Sequence, residues 1–394
     1  MKFRSSLDKY RRGKPITLVD KSHLVSIESL SSEGEGIARI DGEAIFVPHT
    51  APGDKVRVEI VEKRKRWSRA KVLELVEPSA YRVEAPCRYV PRCGGCTWQH
   101  IQYDTQLKFK QQQLMETLQR IGSLGDIPIH DIVSSPEPLH YRNRIRGVAK
   151  DGAFHFHEAR SEQLVAIEHC VIAAPQINRF LEMSDSSFDQ SHQAIELALL
   201  DENTVTAFPI NSERTTELGF RQVNDSVAQQ LNETVYALID THFSKDTTTS
   251  KGFLLDLYCG HGSWTHRIAD NNSALRVVGV DQSEPNINTA RKLTAKLKNA
   301  SFIKNKAEKV LTQADMNADA VIVDPPRSGL SDTVVNALNE HPVDLLLYVS
   351  CHPATLARDL AKLHGGAYQM KSVQAFDMFP QTPHVETLVV LCKS

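Results

Sequence analysis

The stretch LLDLYCGHGSW, residues 254–264, is an apolar run that leads directly into a turn with two glycines. Three further apolar runs follow, RVVGVD, ADAVIVD and DLLLYVSC, with helical patterns between them, and VETLVVL lies near the end of the chain. Near-continuous apolar runs are typical of strands that are buried on both faces. Their alternation with helices predicts a mainly parallel sheet covered by helices. We therefore expect an α/β, Rossmann-like domain over residues 216–394.

The turn after the first apolar run has the features of a nucleotide-type cofactor site. Gly260 and Gly262 would let the backbone approach a ligand at the carboxyl end of the strand. Asp281 lies 25 residues after Asp256 and could accept hydrogen bonds from both hydroxyls of a ribose. The dinucleotide motif is incomplete, because Thr265 occupies its sixth position, and no P-loop follows. S-adenosyl-L-methionine fits best, and a tight structural turn is the alternative.

A cysteine follows the apolar run DLLLYVS. Cys351 precedes Pro353, which fits the first turn of a helix, and the helix dipole predicts a lowered pKa for the thiol. A thiolate that adds to carbon 6 of a pyrimidine makes carbon 5 nucleophilic towards an activated methyl group. A general base must then remove the carbon 5 proton. Glu386, at the start of the last strand, is the best candidate, and His384 is a weaker one.

The motif ADAVIVDPPRSG places Asp324 at the end of a third strand. Its carboxylate could accept a hydrogen bond from a pyrimidine N–H or orient the cofactor. Arg327 follows Pro326 at the position where enzymes that methylate cytosine carbon 5 in RNA commonly carry a second cysteine. Amino-methylating enzymes place an aromatic residue after the prolines. The motif therefore argues against both cytosine methylation and amino methylation. Nucleoside analysis after the reaction would separate a uridine target from a cytosine or DNA target.

The chain has 394 residues, of which 41% are hydrophobic and 24% charged, as in a globular protein of two or three domains. Lys and Arg total 46 against 48 Asp and Glu, which excludes a uniformly basic surface but not local basic patches. No apolar run reaches the ~18–20 residues of a membrane-spanning helix. The N-terminus lacks the apolar part of a signal peptide. We expect a cytoplasmic protein that binds no membrane.

Three regions precede the Rossmann-like domain. Residues 1–22 form a basic tail. Residues 23–79 contain five short strands with polar turns, which predicts a small OB-like β-barrel. Residues 80–215 form a less regular α+β region, in which YDTQLKFKQQQLMETLQRIG, residues 103–122, has a strong helical pattern.

Two segments carry closely spaced basic residues. KRKRWSRAK, residues 63–71, contains six basic residues, no acid and Trp67. It fits a solvated hairpin tip and a phosphate-contacting loop with a stacking tryptophan equally well. Arg142, Arg144 and Arg146 alternate in YRNRIRGVAK, so in a strand they would share one face. That face, with no acid in the segment, would be solvent-exposed or suited to a nucleic-acid backbone.

Four cysteines outside the C-terminal domain follow C-x5-C-G-G-C with a distant fourth. They are Cys87, Cys93, Cys96 and Cys170. Four thiolates can hold a [4Fe–4S] cluster or a tetrahedral zinc ion, and spacing alone does not separate the two. Because three of the cysteines lie within ten residues, unrelated buried thiols are a poor explanation.

Together, DLYCGHG, VVGVD, DPPRSG, SCHPATLARD and DMFPQTPHVE resemble, in order, the motifs of the RNA uracil-5-methyltransferase family. The N-terminal strands look like the TRAM domain of that family, and the central region looks like its iron–sulfur domain. The resemblance therefore covers nearly the whole chain and implies three parts: a TRAM barrel, an iron–sulfur domain and a Rossmann-like methyltransferase domain.

The resemblance implies roles for individual residues. Cys351 would be the nucleophile and Glu386 the base that removes the carbon 5 proton. The implied cofactor contacts are Gln222, Tyr258, Asp281 and Asp324, to which the glycine turn adds Gly260, and Ser263 stands where relatives often carry a polar contact. The four outlying cysteines would hold a [4Fe–4S] cluster rather than zinc. The chain departs from the family at His352, where Asn is usual, and at Trp264, where Phe is usual.

The sequence thus predicts a methyltransferase that uses S-adenosyl-L-methionine to methylate carbon 5 of a uridine in RNA through a covalent adduct. The uridine would be flipped out to reach the thiol. We favour 23S rRNA as the substrate, with tRNA as the alternative, and expect a monomer. The alternative of a different class is a non-catalytic RNA-binding iron–sulfur protein, which would transfer no methyl group.

Overall fold

The structure, a computed structural model, describes residues 22–183, 188, 193–210, 221–244, 252–311 and 317–394. The chain divides into two compact units. The first comprises the residues up to 91 together with 96–105, and the second comprises 92–95 together with 106–394. The predicted basic tail lies, except for its last residue, outside the described residues. No helix in the described ranges is long and apolar enough to cross a membrane.

The first unit contains a six-stranded sheet. Its strands are β1 (Ser22–Ser26), β2 (Ser29–Leu30), β3 (Gly36–Ile40), β4 (Glu43–Val47), β5 (Lys55–Lys63) and β6 (Trp67–Glu77), in the order β1-β5-β6-β4-β3-β2. Neighbours are antiparallel except β4 and β6, which are parallel. The sequence predicted five short strands in this region, and the structure has six. Between β1 and β2 the amide of Ile27 donates to the carbonyl of Asp54.

In its described residues, the central part of the chain forms two helices and a five-stranded antiparallel sheet. The elements are α1 (Tyr103–Gly122), β7 (Arg144–Lys150), β8 (Ala153–His157), β9 (Leu164–Ala166), α2 (Pro175–Met183), β10 (Gln193–Leu199) and β11 (Val205–Pro209), with the strand order β11-β10-β7-β8-β9. Helix α1 has the bounds that its helical pattern predicts, because Leu114 and Leu118 recur on the side that packs into the core.

The arginine row of β7 is not a free basic face. Glu196 on the neighbouring strand β10 is fully buried and forms ion pairs with Arg144, at 3.0 Å, and with Arg146. Arg142 precedes the strand and donates through Nε to the carbonyl of Arg144 at 3.1 Å. The segment itself contains no acid, but the sheet brings in a carboxylate that is distant in sequence, so two of the three arginines are paired.

The C-terminal part forms a seven-stranded sheet with helices α3 to α8. The strands are β12 (Phe253–Leu257), β13 (Arg276–Asp281), β14 (Ala300–Lys304), β15 (Ala320–Val323), β16 (Leu345–Ser350), β17 (Tyr368–Phe376) and β18 (Glu386–Lys393). The helices are α3 (Asp225–Ser244), α4 (Ser263–Asn271), α5 (Glu284–Leu293), α6 (Ala307–Leu311), α7 (Asp332–Glu340) and α8 (Pro353–His364). The strand order is β14-β13-β12-β15-β16-β18-β17, and only β18 runs against its neighbours β16 and β17.

Both faces of this sheet are covered. Leu255 and Val278 belong to one buried apolar cluster, whereas the preceding residues of the same strands, Leu254 and Val277, belong to another. Successive residues of a strand point to opposite faces, so two clusters mean two packed faces. The predicted Rossmann-like arrangement is confirmed, and double burial explains the near-continuous apolar runs.

Two strands of this sheet were not predicted, β14 and β17. They occupy its two edges. In β14 only Phe302 is buried, and buried residues alternate with exposed ones in the first half of β17. An edge strand lacks one covering neighbour and so carries no continuous apolar run.

Candidate active site

Seven of the eight predicted catalytic and cofactor-binding residues line one cavity of about 920 Å³ at the carboxyl ends of the parallel strands. They are Gln222, Tyr258, Gly260, Asp281, Asp324, Cys351 and Glu386. The eighth, Ser263, lines a neighbouring cavity of about 480 Å³, which shares four residues with the first. The carboxyl edge of a parallel sheet is where ligands bind in folds of this kind.

The glycine turn after β12 has an unusual backbone. Tyr258, Gly260 and Gly262 all have positive φ, at 63°, 56° and 80°. A side chain at Gly262 would place its Cβ 2.7 Å from the ring of Phe302, so only glycine fits there. At Gly260 an added Cβ would meet nothing within 4 Å, and this glycine leaves open space along the cavity.

The carboxylate of Asp281 is held by donors from two loops. Its Oδ2 accepts from the amide of Gly260 at 3.1 Å, and its Oδ1 accepts from the amide of Ser283 at 2.7 Å. Asn286 adds a longer side-chain bond of 3.4 Å. The carboxylate is thereby fixed in orientation, and its oxygens keep lone pairs that could accept from ribose hydroxyls.

Behind the glycine turn lies a carboxyl that the sequence did not assign a role. Asp256 is 1% exposed, and its Oδ2 accepts from the hydroxyl of Thr265 at 2.6 Å. The pKa of Asp256 is raised to about 7, chiefly by burial and to a lesser extent by nearby Asp281, against the hydrogen bond from Thr265. Thr265, which made the dinucleotide motif incomplete, therefore serves as a donor to this buried acid.

Cys351 lies between the end of β16 and the start of α8. The pKa of its thiol is raised to about 11, chiefly by burial and also by Glu386 and Asp324, although Arg327, which hydrogen-bonds the sulfur, lowers it. The expectation of a lowered pKa is therefore wrong for the protein without its ligands. Removal from water and two neighbouring carboxyls outweigh the single cation beside the sulfur.

Glu386 is the first residue of β18 and is 2% exposed. Burial raises its pKa well above the usual value, and Asp324 contributes to the rise. The pKa of Asp324 is itself raised to about 7 by burial and by Asp256. His384, the weaker candidate for the base, is exposed and is not one of the residues that line the cavity. The geometry therefore favours Glu386 over His384.

Two family models match the chain. The model described as tRNA (uracil-5-)-methyltransferase matches residues 196–394, which is half of the chain. The chain belongs to the RNA uracil-5-methyltransferase family. The TRAM domain of tRNA (uracil(54)-C(5))-methyltransferase matches residues 24–81, so the first unit of this methyltransferase contains a TRAM domain.

Relatives and a solved structure agree with this assignment. An uncharacterized RNA methyltransferase of Bdellovibrio bacteriovorus is 31% identical over 97% of this chain and 98% of its own length. One from Thermosynechococcus vestitus is 30% identical over 93% of this chain and 97% of its own. The crystal structure of Pyrococcus abyssi tRNA (uracil-54, C5)-methyltransferase with S-adenosyl-L-homocysteine is 26% identical, with a TM-score of 0.68, and the match covers 94% of this chain and 100% of that one.

In this methyltransferase, helix α8 braces the DPPRSG loop from behind. Arg358 donates to the carbonyl of Ser328 at 2.9 Å and to that of Leu330 at 3.1 Å. Asp359, 1% exposed, accepts from the amide of Leu330 at 2.8 Å. Thr355 donates to the carbonyl of Arg327 at 3.1 Å. The SCHPATLARD motif therefore fixes the loop that carries Arg327, besides supplying the thiol.

The two departures from the family motifs both make polar contacts. His352 caps α8, because its Nδ1 accepts from the amide of Thr355 at 3.3 Å. Trp264 donates through Nε1 to the side chain of Asn232 at 2.6 Å. Neither residue lines the cavity that holds Cys351.

Sequence reasoning missed part of the cavity lining. Polar residues near Asp281 contribute to it, namely Ser283, Asn286, Asn305 and Lys306, and Phe379 contributes from the loop that precedes Glu386. The quoted motif DMFPQTPHVE contains Phe379. The four polar residues, by contrast, follow the ends of β13 and β14 and belong to no motif that the sequence analysis recognised.

The basic segment 63–71 of the methyltransferase is largely neutralised by acids. Arg64 bonds Glu62, and Arg69 bonds both Glu35 and Glu62. Lys63 and Lys71 also lie within ion-pair distance of glutamates. The guanidinium of Arg69 lies over the ring of Trp67, 5.2 Å from its centre, so one face of the predicted stacking residue is already covered.

The predicted metal site is not supported. In the described part of the chain, which includes all four cysteines, no three His, Cys, Asp or Glu side chains are grouped so that they could hold a metal ion. No step of the reaction is therefore assigned to a [4Fe–4S] cluster.

Proposed function

We propose that this methyltransferase transfers a methyl group from S-adenosyl-L-methionine to carbon 5 of a uridine in RNA and forms 5-methyluridine through a transient bond between Cys351 and carbon 6. The observation that carries the proposal is the presence of Cys351, Glu386 and Asp281 in one cavity. The reaction needs a nucleophile, a base and a cofactor site within reach of one pyrimidine.

The residues of the glycine turn fit the cofactor. Asp281 presents an oriented carboxylate to the cavity, as ribose binding requires. Gln222, Tyr258 and Gly260 would hold the methionine part, together with Ser263 in the adjoining cavity. S-adenosyl-L-methionine supplies an electrophilic methyl group on a positively charged sulfur. The S-adenosyl-L-homocysteine in the Pyrococcus abyssi relative supports this assignment.

Two residues of the chain carry the proton transfers. Cys351 loses its thiol proton to water and its sulfur bonds to carbon 6, which places the electron pair of the double bond at carbon 5. After carbon 5 has taken the methyl group, Glu386 as carboxylate removes the proton on that carbon. The electrons of the C–H bond re-form the double bond, the bond between carbon 6 and sulfur breaks, and Cys351 is restored.

The buried environment suits Glu386 to this step. A raised pKa makes the ionised carboxylate a stronger base than a glutamate in water. Arg327 lowers the pKa of both Cys351 and Glu386, so it favours their ionised forms. Asp324 would accept from the uracil N–H or orient the cofactor.

RNA that contains 5-fluorouridine tests the mechanism. Fluorine cannot leave as a proton does, so a covalent protein–RNA adduct should accumulate with the unmodified enzyme and be absent with Cys351→Ala. Cys392→Ala, which changes a half-buried thiol near the end of β18, is the matched control and should form the adduct. An enzyme that methylates uridine without any adduct would exclude the covalent route.

Two RNA classes are candidates for the substrate. The sequence favoured 23S rRNA because of the iron–sulfur resemblance, which the placement of the cysteines does not support. The named similarity to a tRNA (uracil-54, C5)-methyltransferase favours a tRNA uridine. Methylation of unmodified 23S rRNA and tRNA transcripts, followed by mapping of 5-methyluridine, would decide between them.

The [4Fe–4S] cluster stays a prediction from the family resemblance. The domain boundaries at residues 22, 79 and 215, the monomeric state and the cytoplasmic location also stay predictions. Iron content and the absorption spectrum after anaerobic purification test the cluster. About four iron atoms per chain would establish it. Stoichiometric zinc, or no metal at all, would exclude it.

A further inference from the structure

Helix α1 lies outside the residues that match the methyltransferase model, yet it contacts the loop that carries part of the cavity wall. The loop comprises residues 377–385, between β17 and β18, and we name it the wall loop. It contains Phe379, an aromatic residue that lines the cavity together with Cys351, Glu386 and Tyr258. The mechanism above uses neither α1 nor Phe379.

A buried ion pair joins α1 to the wall loop. Lys110 and Asp377 are both fully removed from solvent and bond each other. Lys110 also donates to the carbonyl of Phe379 at 3.0 Å. A buried pair of this kind is expensive to desolvate, which offsets much of its Coulomb attraction. Through the second bond of Lys110 it also holds the backbone of Phe379, which lines the cavity.

Two further contacts hold the wall loop. Gln106 donates through Nε2 to the side-chain oxygen of Gln381 at 3.0 Å. Its own side-chain oxygen accepts from the backbone N–H of Gln381, also at 3.0 Å. Tyr141 donates to the carbonyl of Pro380 at 3.1 Å. Gln381 has φ of 69°, in the left-handed region, so the turn is maintained by these contacts rather than by local preference.

We propose that α1, through Lys110 and Gln106, is a positioning element that holds Phe379 as the surface on which the flipped pyrimidine stacks beside Cys351. Enzymes that flip a base read it in part by stacking on aromatic side chains. Phe379 is half-buried, packs on the apolar core and meets the His384 ring edge-on with the ring centres 6.1 Å apart, so its ring is supported from behind. The inference rests on the proposed function, since it needs a pyrimidine at Cys351.

The double variant Lys110→Met/Asp377→Leu removes the ion pair between α1 and the wall loop without leaving a buried charge. We expect it to fold and to bind S-adenosyl-L-methionine as the unmodified enzyme does. The rate of adduct formation with 5-fluorouridine RNA should fall about 10-fold to 100-fold, as expected for a misplaced substrate. Lys108→Met, an exposed lysine of the same helix, is the matched control and should leave the rate unchanged.

If the double variant does not fold, Gln106→Leu removes the other contact between α1 and the wall loop without removing a charge. The rate of adduct formation should fall to the same extent. Phe379→Leu should slow adduct formation to a similar extent with unchanged cofactor affinity, and Phe379→Tyr, which keeps the ring, should restore it. The inference would be overturned if a folded Lys110→Met/Asp377→Leu or Gln106→Leu variant, or Phe379→Leu, reacted at the rate of the unmodified enzyme. Absence of adduct with the unmodified enzyme would instead count against the proposed function.

Discussion

The two halves of the cavity hold their acidic groups in opposite ways. In the cofactor half, Asp281 accepts from backbone amides of two loops. In the reaction half, Glu386 is buried, Cys351 and Asp324 beside it are half-buried, and each of the three has a raised pKa. The first arrangement fixes a hydrogen-bond acceptor in place. The second makes acids reluctant to ionise and therefore basic once they do, which suits binding in one half and proton transfer in the other.

The largest effect should come from the reaction half. Glu386→Gln keeps the shape but removes the base, so methylation should fall by a factor of about 100 to 10,000. Because Cys351 is intact, a covalent adduct should accumulate even with ordinary uridine, visible as a shifted protein band. Cofactor affinity should not change. Loss of turnover without adduct would assign the proton abstraction to another group.

The cofactor half should respond in affinity rather than in chemistry. Asp281→Ala removes the ribose acceptor and leaves the amides of Gly260 and Ser283 without it, so the dissociation constant for S-adenosyl-L-methionine should rise about 10-fold to 100-fold. Calorimetric titration measures this. Asp281→Asn, which keeps one oxygen, should lose less. If the rate at saturating cofactor fell as strongly as the affinity, the two halves would not be separable.

A buried acid behind both halves predicts a pH effect on stability. The pKa of Asp256 is about 7 in the folded protein, against about 4 in an unfolded chain. The folded state therefore binds more protons between these values, and the free energy of unfolding falls as pH rises from about 4 to 7.

Asp256→Asn should remove this dependence. At pH 8 the variant should be more stable than the unmodified protein by about 1–3 kcal/mol, and the difference should vanish near pH 4. Urea unfolding at the two pH values measures it. Asp270→Asn, an exposed carboxyl on α4, is the control and should show no such difference. An equal gain at both pH values would point to packing instead of ionisation.

The smallest effect should come from the edge of the cofactor half. Ser263 is exposed, bonds His261 at 3.0 Å and lines only the adjoining cavity. Ser263→Ala should weaken cofactor binding about 2-fold to 10-fold, the value of one hydrogen bond. A loss as large as that of Asp281→Ala would move this residue into the main cofactor site.

Sequence patterns predicted the elements that are regular on their own. Helix α1 appeared with its full length, because its apolar spacing is that of a helix. The central strands appeared because burial on both faces makes them continuously apolar. Edge strands β14 and β17 gave no comparable run and were missed. The motif residues Cys351, Glu386 and Asp281 were recognised because each ends, follows or begins a strand at a fixed place.

By itself the sequence determined which residues reach the carboxyl edge of the sheet, since strand ends are written in local patterns. Only the tertiary structure decided what surrounds them. It placed Glu386 and Asp324 close enough to raise the pKa of Cys351, gave Arg144 and Arg146 a carboxylate from β10, and joined Lys110 to a loop more than 260 residues away. Electrostatic environment depends on distance in space and on exclusion of water, and neither follows from the order of residues in the chain.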